Sequence, residues 1–129
     1  MASFSERSKS KLLTCHNDLQ RLFNEVVKHW DCTILCGYRG QKEQDNAYNS
    51  GRSDKKFPDG KHNKEPSMAV DVTPYPIDWG QREKHYSFAF FVLGIATMMG
   101  IKLRLGADWD SDKDLSDQEL FDLNHFELT

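Results

Sequence analysis

No stretch of the sequence is apolar for long enough to cross a bilayer. The longest apolar run, Phe88 to Ile101, is interrupted by Gly94, Thr97 and Gly100 and reads as a buried helix. The opening residues, MASFSERSKSKLL, lack the apolar core and small-residue cleavage site of a secretory signal, so a soluble protein made in the cytoplasm is expected. Cysteine is scarce and odd in number. Cys15, Cys32 and Cys36 are read as free thiols, and Cys32 and Cys36, in the run CTILCGY, as small core residues. Basic excess is also missing. The net charge of −3 argues against a nucleic-acid partner. There is no fixed-period repeat and no low-complexity segment, and 129 residues suit one domain with a core that needs no disulfides.

What the sequence does have is unevenly placed. From Asp108 to Thr129 there are eight acidic residues and one basic one, giving −7, so residues 1–107 carry +4. Carboxylates crowded in this way repel one another unless solvent or a cation offsets them. Asp108, Asp110, Asp112, Asp114, Ser116 and Glu119 take positions 1, 3, 5, 7, 9 and 12 of a twelve-residue stretch, the ligand spacing of a calcium loop. Lys113 stands where the sharp turn of such a loop wants glycine, and a solvated acidic loop is the plain alternative.

Apolar residues from Leu12 to Trp30 recur at three and four, predicting one helix over about Ser5–Trp30. Thr33–Tyr38 reads as a strand, and Gln41–Ser50 as a helix closed by Gly51. A polar loop, Arg52–Pro66, leads to the alternating strand Ser67–Thr73. Asp78 and Gln81 resemble a capping box opening a helix that runs to Met99, followed by strands at Ile101–Leu105 and His125–Leu128. Without a regular βαβ rhythm, the pattern predicts an α+β domain with a mostly antiparallel sheet.

One residue is out of place in this pattern. Asp71 lies in the apolar strand SMAVDVT, where a carboxylate is costly unless paired or bound to a metal. His62 lies upstream across a loop and His125 lies in the last strand; two imidazoles and a carboxylate are a common catalytic zinc set. Asp122, three residues before His125, is placed to act on a metal-bound water without ligating the metal. The plainer readings are a salt-bridged Asp71 and a turn-capping Asp122, and His16, His29 and His85 read as surface residues. Glu127, on the His125 face of its strand, either orients a ligand histidine or sits at the sheet edge.

The segments GYRGQKEQ, GKHNKEPSMAVDVTPYP and FDLNHFEL, in this order, resemble the zinc D,L-peptidases. That family holds D-alanyl-D-alanine dipeptidases and carboxypeptidases and phage endolysins that cut the L-alanyl-D-glutamate bond of peptidoglycan, and it shares its fold with the amino-terminal domain of hedgehog proteins. The likeness covers about Thr33 to the end and looks closest to single-domain phage endolysins. It implies zinc on His62, Asp71 and His125, Asp122 as the base, and Arg39 binding substrate and polarising the scissile carbonyl. Two features depart from the family pattern: Gly60 replaces the usual hydroxyl residue two before His62, and eight residues separate His62 from Asp71, more than in many relatives.

The resemblance further implies one catalytic domain over 1–129 without a cell-wall-binding module, acting as a monomer on a peptidoglycan stem peptide with no membrane insertion. The implied setting is the host cytoplasm, from which the protein reaches the wall after another factor opens the membrane. Its rivals are D-alanyl-D-alanine cleavage and a catalytically silent zinc- or calcium-binding module.

Overall fold

The computed structural model describes residues 2–53, 55–106 and 123–129. Within them the elements run α1 (Glu6–Leu12), α2 (Asn17–His29), β1 (Cys32–Cys36), α3 (Gln41–Asn49), a short 3-10 turn (Lys61–Asn63), β2 (Ala69–Pro74), α4 (Arg82–Met98), β3 (Leu103–Leu105) and β4 (His125–Leu128). The four strands form one sheet in the order β1-β2-β4-β3, and every neighbouring pair is antiparallel. The α+β expectation therefore holds.

Strand alternation sorts the sheet into two faces. Ile34, Val70, Val72, Leu105, Phe126 and Leu128 belong to the apolar cluster that also takes Leu19, Leu22, Phe23 and Val26 of α2 and Phe88, Ala89 and Val92 of α4. Phe126 of β4 meets Phe23 edge-on at 5.3 Å and Phe88 at 6.2 Å, so the last strand packs against both long helices. The opposite residues of the same strands, Asp71 and His125 among them, are thereby held on the other face. No helix among the described residues is long and apolar enough to cross a membrane.

Three expectations need correction. The N-terminal helix is two helices. The segment between them spends its backbone groups on the sheet entrance: Ser67 N–H donates to Thr14 O and His16 N–H to Ser67 O, both at 2.9 Å. His16 then caps α2, its Nδ1 accepting from Asp18 N–H at 3.0 Å. The apolar stripe continues across this break, so periodicity alone cannot reveal it. Second, Asp78 does not cap α4. Its carboxylate accepts from Gly80 N–H and from the Gln81 side chain, forming a separate turn, and the helix starts at Arg82. Third, His85 is buried, with consequences for the site described below. The stop of α3 is as expected, with Gly51 at φ +80°.

Candidate functional site

The sheet register builds the centre of the site. Asp71 pairs with Cys36 on β1 and with His125 on β4, so three chemically active side chains stand in a row across three strands. A register shift between Ile34 and Cys36 brings Cys36 opposite Asp71. His62 arrives from outside the sheet, on the 3-10 turn. That turn is tied down by Arg39 N–H donating to His62 O at 2.8 Å and Met68 N–H donating to Lys61 O at 3.0 Å. These bonds absorb the long connection between His62 and Asp71.

Both imidazoles converge on one oxygen. His62 Nε2 lies 3.2 Å and His125 Nδ1 3.1 Å from Asp71 Oδ1. The far nitrogen of each ring already has an acceptor: His62 Nδ1–H donates to Gly37 O, and His125 Nε2–H to Glu127 Oε1, each at 2.8 Å. These outer bonds hold one proton on each far nitrogen, so His62 Nε2 and His125 Nδ1 are the ring atoms that face Asp71 and can ligate once deprotonated. Ligand atoms of Cys36, His62 and Asp71 lie within 4.8 Å of one another, a grouping that could hold a metal ion, and His125 reaches the same Asp71 oxygen. Cys32 is a core residue as expected; Cys36 instead lines the site.

Electrostatics follow from this packing. Burial disfavours the ionised Asp71 carboxylate, but the His62 charge and hydrogen bonds from both imidazoles outweigh it and hold the carboxyl far below its ordinary range. Burial also lowers His62, yet Asp71's charge and hydrogen bond override it and push the imidazole up to about 10. His125 is raised in the same way, its burial being overcome by Asp71 and Glu127. In the metal-free chain, protons therefore sit between these rings and Asp71 Oδ1, on the atoms a cation would take.

Glu127 is 5% exposed and is ringed by cations and donors. Arg104 Nη2 lies 2.8 Å and Lys61 Nζ 3.3 Å from Oε2, while Oε1 holds His125. Burial raises this carboxyl, but His125, Arg104 and Lys61 together bring it down to about 2. The two readings of Glu127 from the sequence thus resolve to a partner of His125.

Arg39 lies beside the row, its Nη2 3.3 Å from Asp71 Oδ2. A buried amide that the sequence did not single out positions it. Gln44 Oε1 accepts from Arg39 Nη1 and Asn63 Nδ2, both at 3.2 Å. Gln44 Nε2 donates to Ser53 Oγ at 3.0 Å and Lys55 O at 2.7 Å. All four hydrogen-bonding positions of the amide are filled, so it fixes Arg39, the His62 turn and the following loop together. The available signal was a glutamine on the face of α3 that also carries the buried Ala47. Gly60 is explained nearby. Its N–H donates to Asn63 Oδ1, and a Cβ at that position would come within 2.8 Å of the same oxygen, so the hydroxyl residue of the family pattern would have to displace the Asn63 side chain.

A pocket of about 780 Å³ opens over Asp71 and Arg39; its wall includes Cys36, Arg52, Trp79 and His85. His85 was expected at the surface. Instead its Nδ1–H donates to Gln81 O at 2.8 Å, its Nε2 meets the Thr73 hydroxyl at 3.1 Å, and Trp79 stacks on it at 5.6 Å. A helical period with polar neighbours gives no sign that this first-turn residue leans onto the sheet. Asp122 and the calcium candidates Asp108, Asp110, Asp112, Asp114, Ser116 and Glu119 lie outside the described residues.

A family model described as phage L-alanyl-D-glutamate peptidase matches residues 1–129. The L-alanyl-D-glutamate peptidase of Escherichia phage T5 is 29% identical over 133 residues, covering 97% of this chain and 96% of its own. The crystal structure of Serratia marcescens L-Ala D-Glu endopeptidase ChiX superposes with a TM-score of 0.76 at 25% identity, covering 98% of this chain and 89% of its own.

Proposed function

We propose a role for each residue of this site on the premise that the chain belongs to the phage L-alanyl-D-glutamate peptidase family. The reaction is hydrolysis of the L-alanyl-D-glutamate bond in peptidoglycan stem peptides, with the protein serving as an endolysin. The observation that carries the reading is the convergence of His62 Nε2 and His125 Nδ1 on Asp71 Oδ1, with each far nitrogen engaged by an acceptor.

His62, Asp71 and His125 would hold the ion, and we assign zinc because two imidazoles and a carboxylate match its common catalytic ligand set. Bound there, zinc would supply a Lewis acid and a water with a pKa lowered to about 7. The chain's own residues do the rest. Asp122 accepts the proton of the attacking water and returns it to the leaving amine. Arg39, steadied by Gln44, orients the substrate and stabilises charge on the carbonyl oxygen. Gly37 O and Glu127 keep both rings in the ligating tautomer.

The chain is read as one catalytic unit, supported by the family match over 1–129. It would reach its substrate from the host cytoplasm once the membrane is opened. The acidic stretch Asp108–Glu119 is proposed as a calcium site on its ligand spacing. Titrating calcium into zinc-loaded protein is expected to move the NMR amide signals of that stretch at millimolar concentration or below; signals that stay put would remove calcium from the proposal.

Mass spectrometry of peptidoglycan fragments after digestion tests the reaction. The expected products carry a new amino-terminal D-glutamyl residue. Released D-alanine would point to D-alanyl-D-alanine cleavage instead, and unchanged fragments to a silent metal-binding module.

The role of Glu127 has its own test. Glu127→Gln should weaken metal binding by about 10–100-fold, because it removes the acceptor that orients His125. In metal-free protein the same change should cost about 1–3 kcal/mol at neutral pH, the scale of a charge-assisted hydrogen bond. The folded pKa of Glu127 is depressed, so its stabilisation is present above about 4.5 and is lost as pH falls towards about 2. Urea titrations of both proteins should therefore differ at pH 6 and converge near pH 2. A constant gap across that range would show that the charge of Glu127 is not what stabilises the fold.

A further inference from the structure

The proposed bond places the glutamyl residue on the leaving-amine side. Glutamate has two carboxyl groups, and a peptide that continues through one leaves the other as a free carboxylate close to the scissile bond. Among the described residues, a carboxylate entering this pocket meets two anions in its wall, Glu43 and Asp71. Arg39 is already committed, with Nη2 on Asp71 and Nη1 on Gln44. Its role toward the scissile carbonyl leaves it no open fork for a second carboxylate.

Arg52 is the other guanidinium in the wall. It follows α3, and its backbone is held: Arg52 N–H donates to Ala47 O at 2.9 Å and Ser53 N–H to the same oxygen at 3.1 Å. Gln44 grips the next residue through Ser53 Oγ. The side chain is steered as well, since Arg52 Nε–H donates to Ser50 Oγ at 2.9 Å. Among the described residues nothing takes Nη1 or Nη2, which form the fork that pairs with a carboxylate. The same amide that positions Arg39 thus also fixes the loop bearing a second, uncommitted cation.

We propose that Arg52 anchors the free carboxylate of the glutamyl residue on the leaving side of the bond, and so selects glutamate over its carboxamide. This rests on the reaction proposed above. The anchor lies on the pocket wall, not at the reacting atoms, so it sets which peptide binds productively.

The test compares two synthetic stem peptides that differ only at this group, one with the D-glutamyl carboxylate and one with the carboxamide. Cleavage is followed by mass spectrometry on zinc-loaded protein. The unmodified protein is expected to favour the carboxylate by about tenfold or more in kcat/KM, the scale of one charge-assisted pair. Arg52→Gln should bring that ratio close to one with zinc content and thermal unfolding unchanged, and Arg52→Lys should restore part of it. Arg52 is exposed, so these variants test binding and not folding. Equal cleavage of both peptides by the unmodified protein, or an undiminished preference in Arg52→Gln, would overturn the anchor while leaving the reaction intact. Failure to cut either peptide would overturn the reaction and the anchor with it.

Discussion

Asp71→Asn is expected to abolish cleavage and to lower metal affinity by at least about a hundredfold. Losing an outer-sphere partner of a metal ligand already costs about 10–100-fold, and Asp71 supplies the oxygen on which both imidazoles converge. Asparagine keeps the size but removes the charge. It also offers an amide that cannot serve as an anionic ligand and leaves Arg39 Nη2 without its carboxylate. The variant changes proton bookkeeping too. In the metal-free chain Asp71 holds His62 protonated up to about 10, so metal binding at neutral pH must displace a proton. Calorimetry in buffers of different ionisation enthalpy should therefore detect proton release on zinc binding to the unmodified protein.

The sign of the accompanying stability effect is fixed. A histidine raised above its unfolded value of 6.5 stabilises the metal-free fold fully below that pH, and this is lost as pH rises towards about 10. Asp71→Asn should remove that dependence. Full zinc occupancy with normal turnover in the variant would show that the ligand set is wrong.

Asp71 was legible because a strand of period two leaves few explanations for one carboxylate among Ala69, Val70 and Val72, all of them buried. His125 was joined to it by the common ligand set and by the family resemblance; that the antiparallel pairing of β2 and β4 sets the two residues opposite each other came from the structure. Cys36 could not be placed this way. The shift between Ile34 and Cys36 breaks the alternation that would assign it a face. Gln44 and His85 share a different difficulty. Each is a buried polar group whose partners lie far along the chain, at Ser53 and Lys55 or at Thr73, and local pattern carries no record of such bonds. The break between α1 and α2 was hidden for the converse reason, because Cys15 and Leu19 keep the apolar stripe while the backbone between them turns to pair with Ser67.

Asp122→Asn should leave zinc bound and the fold intact but reduce turnover by about 10²–10⁴-fold, the usual contribution of a general base. The choice of Asp122 rests on its place in FDLNHFEL, three residues before His125. The intervening residues are well used: Leu123 is buried in the core at 3% exposure, and Asn124 lines the pocket. The two carboxylates held at the imidazoles, Asp71 and Glu127, are poor candidates for the task. Asp71 is committed to both imidazoles and Arg39. Glu127 is held ionised to about 2 by His125, Arg104 and Lys61, after offsetting its burial, and a carboxylate so strongly stabilised is a weak proton acceptor. Removing Asp122 therefore leaves no ready substitute among these residues. The base acts in its ionised form, so the acid limb of the kcat/KM profile should also change in Asp122→Asn. Zinc content measured at each pH separates this effect from protonation of the ligand histidines, which would release the metal in both proteins. Near-normal turnover with zinc bound would remove Asp122 from the mechanism and make the Glu127→Gln rate the next measurement, despite the low basicity its surroundings impose.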